Sequence, residues 1–356
     1  MEARDRILRS VRGEATDRPA AAPYMGNFAI RAAGMKLSEC YLNAGKMAEA
    51  QLRTWDMLKQ DVIVVQSDNY YMAEAFGAPV RHSGDTLPVL QERIIRKPQD
   101  VYALKRVDPG SGGRMPVYIE AVSRVSREVG RAAAVRGCGT GPFVLAGHLC
   151  GIEQLLLWMA ETEMGERDCT RELDHLFSLG LETLLAFASA QLEAGAAIIQ
   201  LADSLASLNV ISPAMYRKYV FPYEKEFFTR IRSLCRKHDA VALLHICGDN
   251  RAVLADYVRT GADIIAIDHA VDLPEARRIV GEDTCIIGNL DPSGALLFGD
   301  PEAVRQEANE ALAVGLSGRY ILGTGCEVAP DTPVVNIRAM LQAAAEYPRQ
   351  LRGDGR

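Results

Sequence analysis

Eight short apolar runs, most of them rich in β-branched residues, recur along the chain at residues 21–25, 62–66, 132–135, 197–202, 241–246, 264–267, 285–288 and 320–322. Between and after them lie stretches with helical spacing of apolar residues, at 44–58, 152–162, 173–193, 213–237, 250–261, 273–281, 301–315 and 333–347. A strand buried on both faces reads as a continuous apolar run, and strands that alternate with helices pair in parallel. Eight such units predict an α/β fold closed as a (β/α)8 barrel, and the chain carries no glycine-rich dinucleotide fingerprint that would favour an open sheet. The irregular stretch 69–130 is an insertion after the second strand, with a hairpin near 79–97 and a turn cluster at 108–113 before the next helix. A helical extension precedes the first strand. Residues 1–356 are expected to form one such barrel domain.

Composition narrows the function classes. The chain has 356 residues, 48% of them hydrophobic, which excludes disorder, and its formal charge of −6 argues against a nucleic-acid partner. No stretch approaches the about 18 uncharged apolar residues of a membrane span, and the charged start MEARDRILRS lacks a secretory pattern. No membrane partner and a cytoplasmic location are therefore the expectation. Eight cysteines are scattered through a chain too large to need disulfide staples, so most are expected to be reduced core thiols.

In a barrel of this kind the site is built at the carboxyl ends of the strands. Those ends are polar here: Gln66-Ser67-Asp68-Asn69, Gly139-Thr140-Gly141-Pro142, Asp203-Ser204, His245-Ile246-Cys247, Asp268-His269, Asn289-Leu290-Asp291 and Gly325-Cys326-Glu327. Any one of these residues, taken singly, also suits a loop start or a helix cap. Taken together they converge on one rim, with Asp68 and Asp203 as candidate catalytic acids and Asn69, Gly141, His269 and Asn289 as candidate substrate contacts. The glycine turn 139–142 is a possible but weak anion cradle, because no basic residue follows it.

The sharpest local signal is His245-x-Cys247, since residues two apart in extended chain point to one side and can chelate one ion. Cys326, at the end of the eighth run, supplies a third donor. One His and two Cys form the donor set of a catalytic zinc with an open fourth position, and the bland alternative is a buried histidine beside two inert thiols. Zinc held by two thiolates is a mild Lewis acid that binds a substrate thiol as thiolate, which points to alkyl transfer. Walker, HExxH and GxSxG motifs are all missing.

These residues carry a resemblance to the uroporphyrinogen decarboxylase superfamily, and within it to the zinc-dependent corrinoid methyltransferase branch. It rests on Asp17-Arg18-x-Ala, Ser67-Asp68, the stretch from Gly141 to Gly147, Asp203, Ile211-Ser212-Pro213, Pro222-Tyr223, His245-Ile-Cys-Gly248, Val271-Asp272-Leu273, the stretch from Gly288 to Pro292, and Gly325-Cys326 followed by Thr332-Pro333 and Asn336-Ile337. The resemblance implies a (β/α)8 barrel and Zn2+ on His245, Cys247 and Cys326. It also implies methyl transfer between a corrinoid (cobalamin) and a small acceptor or donor: a thiol such as coenzyme M, tetrahydrofolate, or a methyl ether or methylamine-like compound. With an ether, Asp68 or Asp203 would support the leaving group. The chain lacks a D-x-H-x-x-G corrinoid signature, so the corrinoid is expected on a partner protein.

Two alternatives stay open at this point. Decarboxylation of a tetrapyrrole is disfavoured because the family's decarboxylases use an R-x-x-x-R pair where this chain has Arg31 and Met35, and a Gly-His-Gly where it has Gly325-Cys326-Glu327. A non-catalytic corrinoid- or tetrapyrrole-binding barrel would carry the same signals.

Overall fold

The computed structural model describes residues 1–347. Among the described residues ten strands form: β1 (Ala20–Ala22), β2 (Val62–Val64), β3 (Val80–Arg81), β4 (Val89–Leu90), β5 (Ala134–Gly137), β6 (Ile198–Ala202), β7 (Val241–His245), β8 (Ile264–Ala266), β9 (Cys285–Leu290) and β10 (Tyr320–Thr324). Eight of them make one parallel sheet in the order β1-β10-β9-β8-β7-β6-β5-β2, and each coincides with one of the eight apolar runs. The two end strands, β1 and β2, close the barrel with little ladder. Asp61 N donates to the Ala21 carbonyl at 3.2 Å, and the Asp61 carboxylate accepts from Ala21 N at 2.9 Å, so a side chain stands in for the missing backbone acceptor. Arg6 and Arg18 both bond that buried carboxylate, at 2.7 and 2.8 Å. Asp17-Arg18 therefore serves as a clasp at the seam.

The period of two along each strand separates two apolar layers. Ala20, Ala22, Val62, Val64, Ala134, Ile198, Val241, Leu243, Ile264, Ala266, Cys285, Ile287 and Ile321 pack together inside the barrel. Ala21, Ile63, Val135, Ile199, Leu201, Leu244, Ile265, Ile286 and Leu322 face the surrounding helices. The N-terminal helix Ala3–Arg12 joins the inner layer through Ile7, Leu8 and Val11 and plugs one end, and its glycine C-cap, Gly13, has φ +74°.

The insertion after β2 contains the expected hairpin as a short antiparallel pair, Val80↔Leu90 and Arg81↔Val89, followed by a 3-10 turn at Pro98–Ala103 and the helix Met115–Val129. Sequence periodicity missed the helix Pro142–Cys150. Eight of its nine residues are buried, so no polar face marks its turn. The helical stretch 213–237 is interrupted by a π turn at Tyr216–Val220, where Pro222 supplies no N–H for the usual ladder. Among the described residues no single helix is long and apolar enough to cross a membrane.

Candidate metal centre

Strand β7 ends at His245, and the chain stays extended long enough to bring Cys247 back to the same side. Cys247 Sγ lies 3.3 Å from His245 Nε2 and 3.5 Å from Cys326 Sγ, which enters from the turn after β10. All three donor atoms lie within 4.8 Å of one another, His245 is buried, and both cysteines are partly exposed. The two sulfurs share one hydrogen bond, which draws their pKa values apart, with that of Cys326 well below an ordinary thiol and that of Cys247 above it. With both sulfurs ionised, a cation between them would offset their repulsion at this distance, and one imidazole with two sulfurs is a donor set suited to zinc with a fourth position free. The residues present fit that ion.

Neighbouring side chains pin both cysteine loops. Asn250 Nδ2 donates to the carbonyls of Ile246, Cys247 and Gly248 at 3.2, 2.9 and 3.2 Å, and the Asp268 carboxylate accepts from Gly248 N at 2.8 Å. Thr324 Oγ1 donates to the Cys326 carbonyl at 2.6 Å and accepts from Tyr24 N at 3.1 Å. Tyr24 in turn meets His245 edge to face, with ring centroids 5.9 Å apart. Outer contacts of this kind fix the orientation of metal ligands. The partly buried Glu327 carboxylate accepts from Asn27 N and Nδ2 at 2.7 and 3.0 Å, and desolvation raises its pKa to about 7.

The two candidate acids have different surroundings. Asp68 is buried and saturated: Arg114 approaches it in a fork at 2.6 and 2.9 Å, Tyr70 N and Ser67 Oγ donate at 2.9 and 2.8 Å, and Tyr118 adds a longer bond at 3.3 Å. Burial pushes its pKa up, but the bonds and charge of Arg114 outweigh that and hold it below the usual carboxylate range. Asp203 is 0% exposed and does not open on the rim. Its oxygens accept from Val144 N at 2.6 Å and Phe143 N at 3.3 Å, capping the helix Pro142–Cys150. The glycine turn and the helix start after it thus hold the chain's own Asp203 carboxyl group, whose pKa burial raises to about 7, and not an external anion. A Cβ on Gly141 would sit 2.3 Å from Asp203 Cγ, so only glycine admits the approach.

The four expected contact residues are engaged by their neighbours. Asn69 Oδ1 accepts from Gln66 Nε2 at 3.3 Å, and its carbonyl accepts from Thr140 Oγ1 at 3.2 Å. Gly141 N is bonded to the Ala202 carbonyl at 2.7 Å. His269 Nδ1 lies 3.0 Å from the Asp268 carboxylate. The Asn289 amide donates to the carbonyls of Asp268 and Val271. His269 and Asn289 line a cleft of about 290 Å³ with Leu273 and Glu307. Residues that sequence reasoning missed include Tyr24, Asn250 and Arg136. Asn250 falls where a helix start is expected, which masked its bonds to the preceding loop.

Residues 2–347 match the family model of uroporphyrinogen decarboxylase (URO-D). A methylcobamide:CoM methyltransferase MtbA of Methanosarcina mazei is 30% identical over 349 residues, covering 97% of this chain and 98% of that protein. The MtbA protein of Methanosarcina acetivorans is 29% identical over the same length. A uroporphyrinogen decarboxylase of Synechococcus sp. is 28% identical over 350 residues, 95% of each chain. The solved structure of a methyltransferase from Methanosarcina mazei superposes with a TM-score of 0.87 at 23% identity, covering 98% of this chain and 99% of that one, a likeness of fold.

Proposed function

The chain belongs to the uroporphyrinogen decarboxylase family, and within it we propose that it is a corrinoid-dependent methyltransferase, moving a methyl group between a corrinoid on a partner protein and a small thiol. The observation that carries this reading is the convergence of His245, Cys247 and Cys326 within 4.8 Å at the strand ends. Zinc held there would supply a Lewis acid that keeps an acceptor thiol deprotonated at neutral pH. His245 and the two cysteines would hold the ion, while Asn250, Asp268 and Thr324 keep the cysteine loops in place. In the transfer the acceptor sulfur forms a bond to the methyl carbon, the cobalt–carbon bond breaks, and both its electrons stay on cobalt. Methylcobalamin thereby becomes cob(I)alamin.

Two further residues support this reading over decarboxylation. Met35 stands where a second carboxylate-binding arginine is needed, and Arg31 is held by the Asp85 carboxylate. Asp68 and Asp203 are read as positioning residues, since their oxygens are occupied by neighbouring donors.

Methylcobalamin offered anaerobically with 2-mercaptoethanesulfonate or a simple thiol should lose its methyl group and develop the cob(I)alamin spectrum, and the change should vanish in Cys247→Ser. Decarboxylation of uroporphyrinogen with no methyl exchange in any thiol, folate or aryl ether arm would overturn the proposal.

A further inference from the structure

The inner face of the barrel turns from apolar to polar toward the strand ends. Two residues beyond Val64, Ala134, Ile198 and Leu243, and so on the same side of each strand, stand Gln66, Arg136, Gln200 and His245. Arg136 is the only cation among these four positions. It is 3% exposed, and its Nε and Nη2 have no hydrogen-bond partner. Among the described residues no carboxylate pairs with it. Its guanidinium lies over the Tyr24 ring, 4.4 Å from the centroid, and Tyr24 meets His245 edge to face and bonds Gln66 at 2.6 Å. The anionic groups whose fields reach it include Cys326 and Glu327.

A buried cation without a carboxylate partner is costly, and stacking on one phenol offsets only part of that cost. Arginine cannot escape the cost by losing its proton, because its pKa is too high. The fold therefore keeps a fixed positive charge beside the metal donor set. Two thiolates and a neutral imidazole cancel the charge of a divalent zinc. A neutral fourth ligand leaves the field of Glu327 as the carboxylate contribution at Arg136, whereas an anionic ligand also gives the cluster a net charge of opposite sign to the guanidinium.

We propose that Arg136 is a specificity-determining residue whose charge, relayed through the Tyr24–His245 contact face of the barrel, makes the open position of the His245, Cys247 and Cys326 set select an anionic ligand, a thiolate, over a neutral one. This rests on the zinc and thiol reading above and adds to it the residue that sets the charge preference.

The test uses the full chain loaded with cobalt(II) in place of zinc, without corrinoid, so that its failure is distinguishable from failure of methyl transfer. Binding of 2-mercaptoethanol, which enters as thiolate, and of neutral imidazole is titrated from the visible and charge-transfer absorption of the metal. Arg136→Met should weaken the thiol by about tenfold or more, the scale expected for loss of one unit charge acting through a protein interior. Imidazole should change by less than about twofold on the same physical grounds. Arg136→Lys, which keeps the charge, should restore most of the thiol affinity. If Arg136→Met does not fold, Arg136→Gln, which keeps hydrogen-bonding capacity in the same space, carries the same expectation. Unchanged thiol affinity in a folded, metal-loaded neutral variant would overturn the proposal. An equal fall for thiol and imidazole would also overturn it, because it would mark Arg136 as structural.

Discussion

Replacing Asp68 by Asn should destabilise the protein before it changes any chemistry, because the carboxylate is the main counter-charge of a buried arginine. Both partners have side chains only 4% exposed, and Arg114 meets Asp68 through two bonds of 2.6 and 2.9 Å. Breaking a buried ion pair by neutralising one member typically costs about 3–5 kcal/mol, most of it from the charge left behind. Here Glu74 still bonds Arg114 Nε at 2.5 Å and is itself 23% exposed, which points to the lower end of that range. With an unfolding entropy of about 2.1 cal/mol/K per residue, a loss of about 3 kcal/mol over a chain of this length lowers Tm by about 4 °C. Arg114→Met should cost at least as much, since it strands Asp68 and Glu74 together. The double variant should fall close to the worse single variant rather than to their sum, because the two changes remove one interaction. Differential scanning fluorimetry on the four proteins measures this, with methyl transfer assayed in parallel. The Asp68 pKa lies below its ordinary value in the folded state, so its contribution is complete at neutral pH and is lost as pH falls through the folded-state pKa. The stability gap between wild type and Asp68→Asn should therefore shrink on the acid side. An unchanged Tm with turnover abolished would refute the reasoning and place Asp68 on the substrate instead.

Cys247→Ser and Cys326→Ser should each lose the metal by elemental analysis while keeping the wild-type circular dichroism, because both sit on rim turns outside the packed layers; full zinc occupancy in both would exclude this ligand set. Asp203 holds its proton in the fold up to about pH 7, because burial outweighs the two backbone bonds to it. Between the ordinary carboxylate pKa of about 4 and that value the folded state binds a proton the unfolded chain does not, so stability falls as pH rises through this window. Asp203→Asn should flatten that part of a urea-denaturation series, leaving any slope from the neighbouring buried Glu224; an unchanged slope would sink the argument.

The barrel was readable because each strand is buried on both faces and so appears as an uninterrupted apolar run. The helices between them keep one polar side, which shows their period. Where that contrast fails, so does the reading. The helix Pro142–Cys150 is buried nearly all round, and β3 and β4 contribute only two residues each to a ladder, too few to impose a pattern. The convergence of His245, Cys247 and Cys326 was legible for a geometric reason: a two-residue spacing at a strand end leaves little freedom in where the side chains point, and Cys326 follows another run.

Asp203 ends a strand just as His245 does, and strand-end position alone does not distinguish a carboxylate facing the mouth from one folded back onto the preceding βα unit. A sharper signal was present at the other end of the contact. The helix beginning at Pro142 is preceded by Gly141, which has no side chain to cap it, so its first N–H groups require an acceptor from elsewhere in the fold. Arg136 was hidden for a related reason. The apolar run appears to stop at Val135, yet the strand continues through Gly137, and the alternation that turns Ala134 inward turns Arg136 inward as well. A charge at an inward register position, two residues beyond an alanine of the inner core, departs from the apolar packing of the layer beneath it.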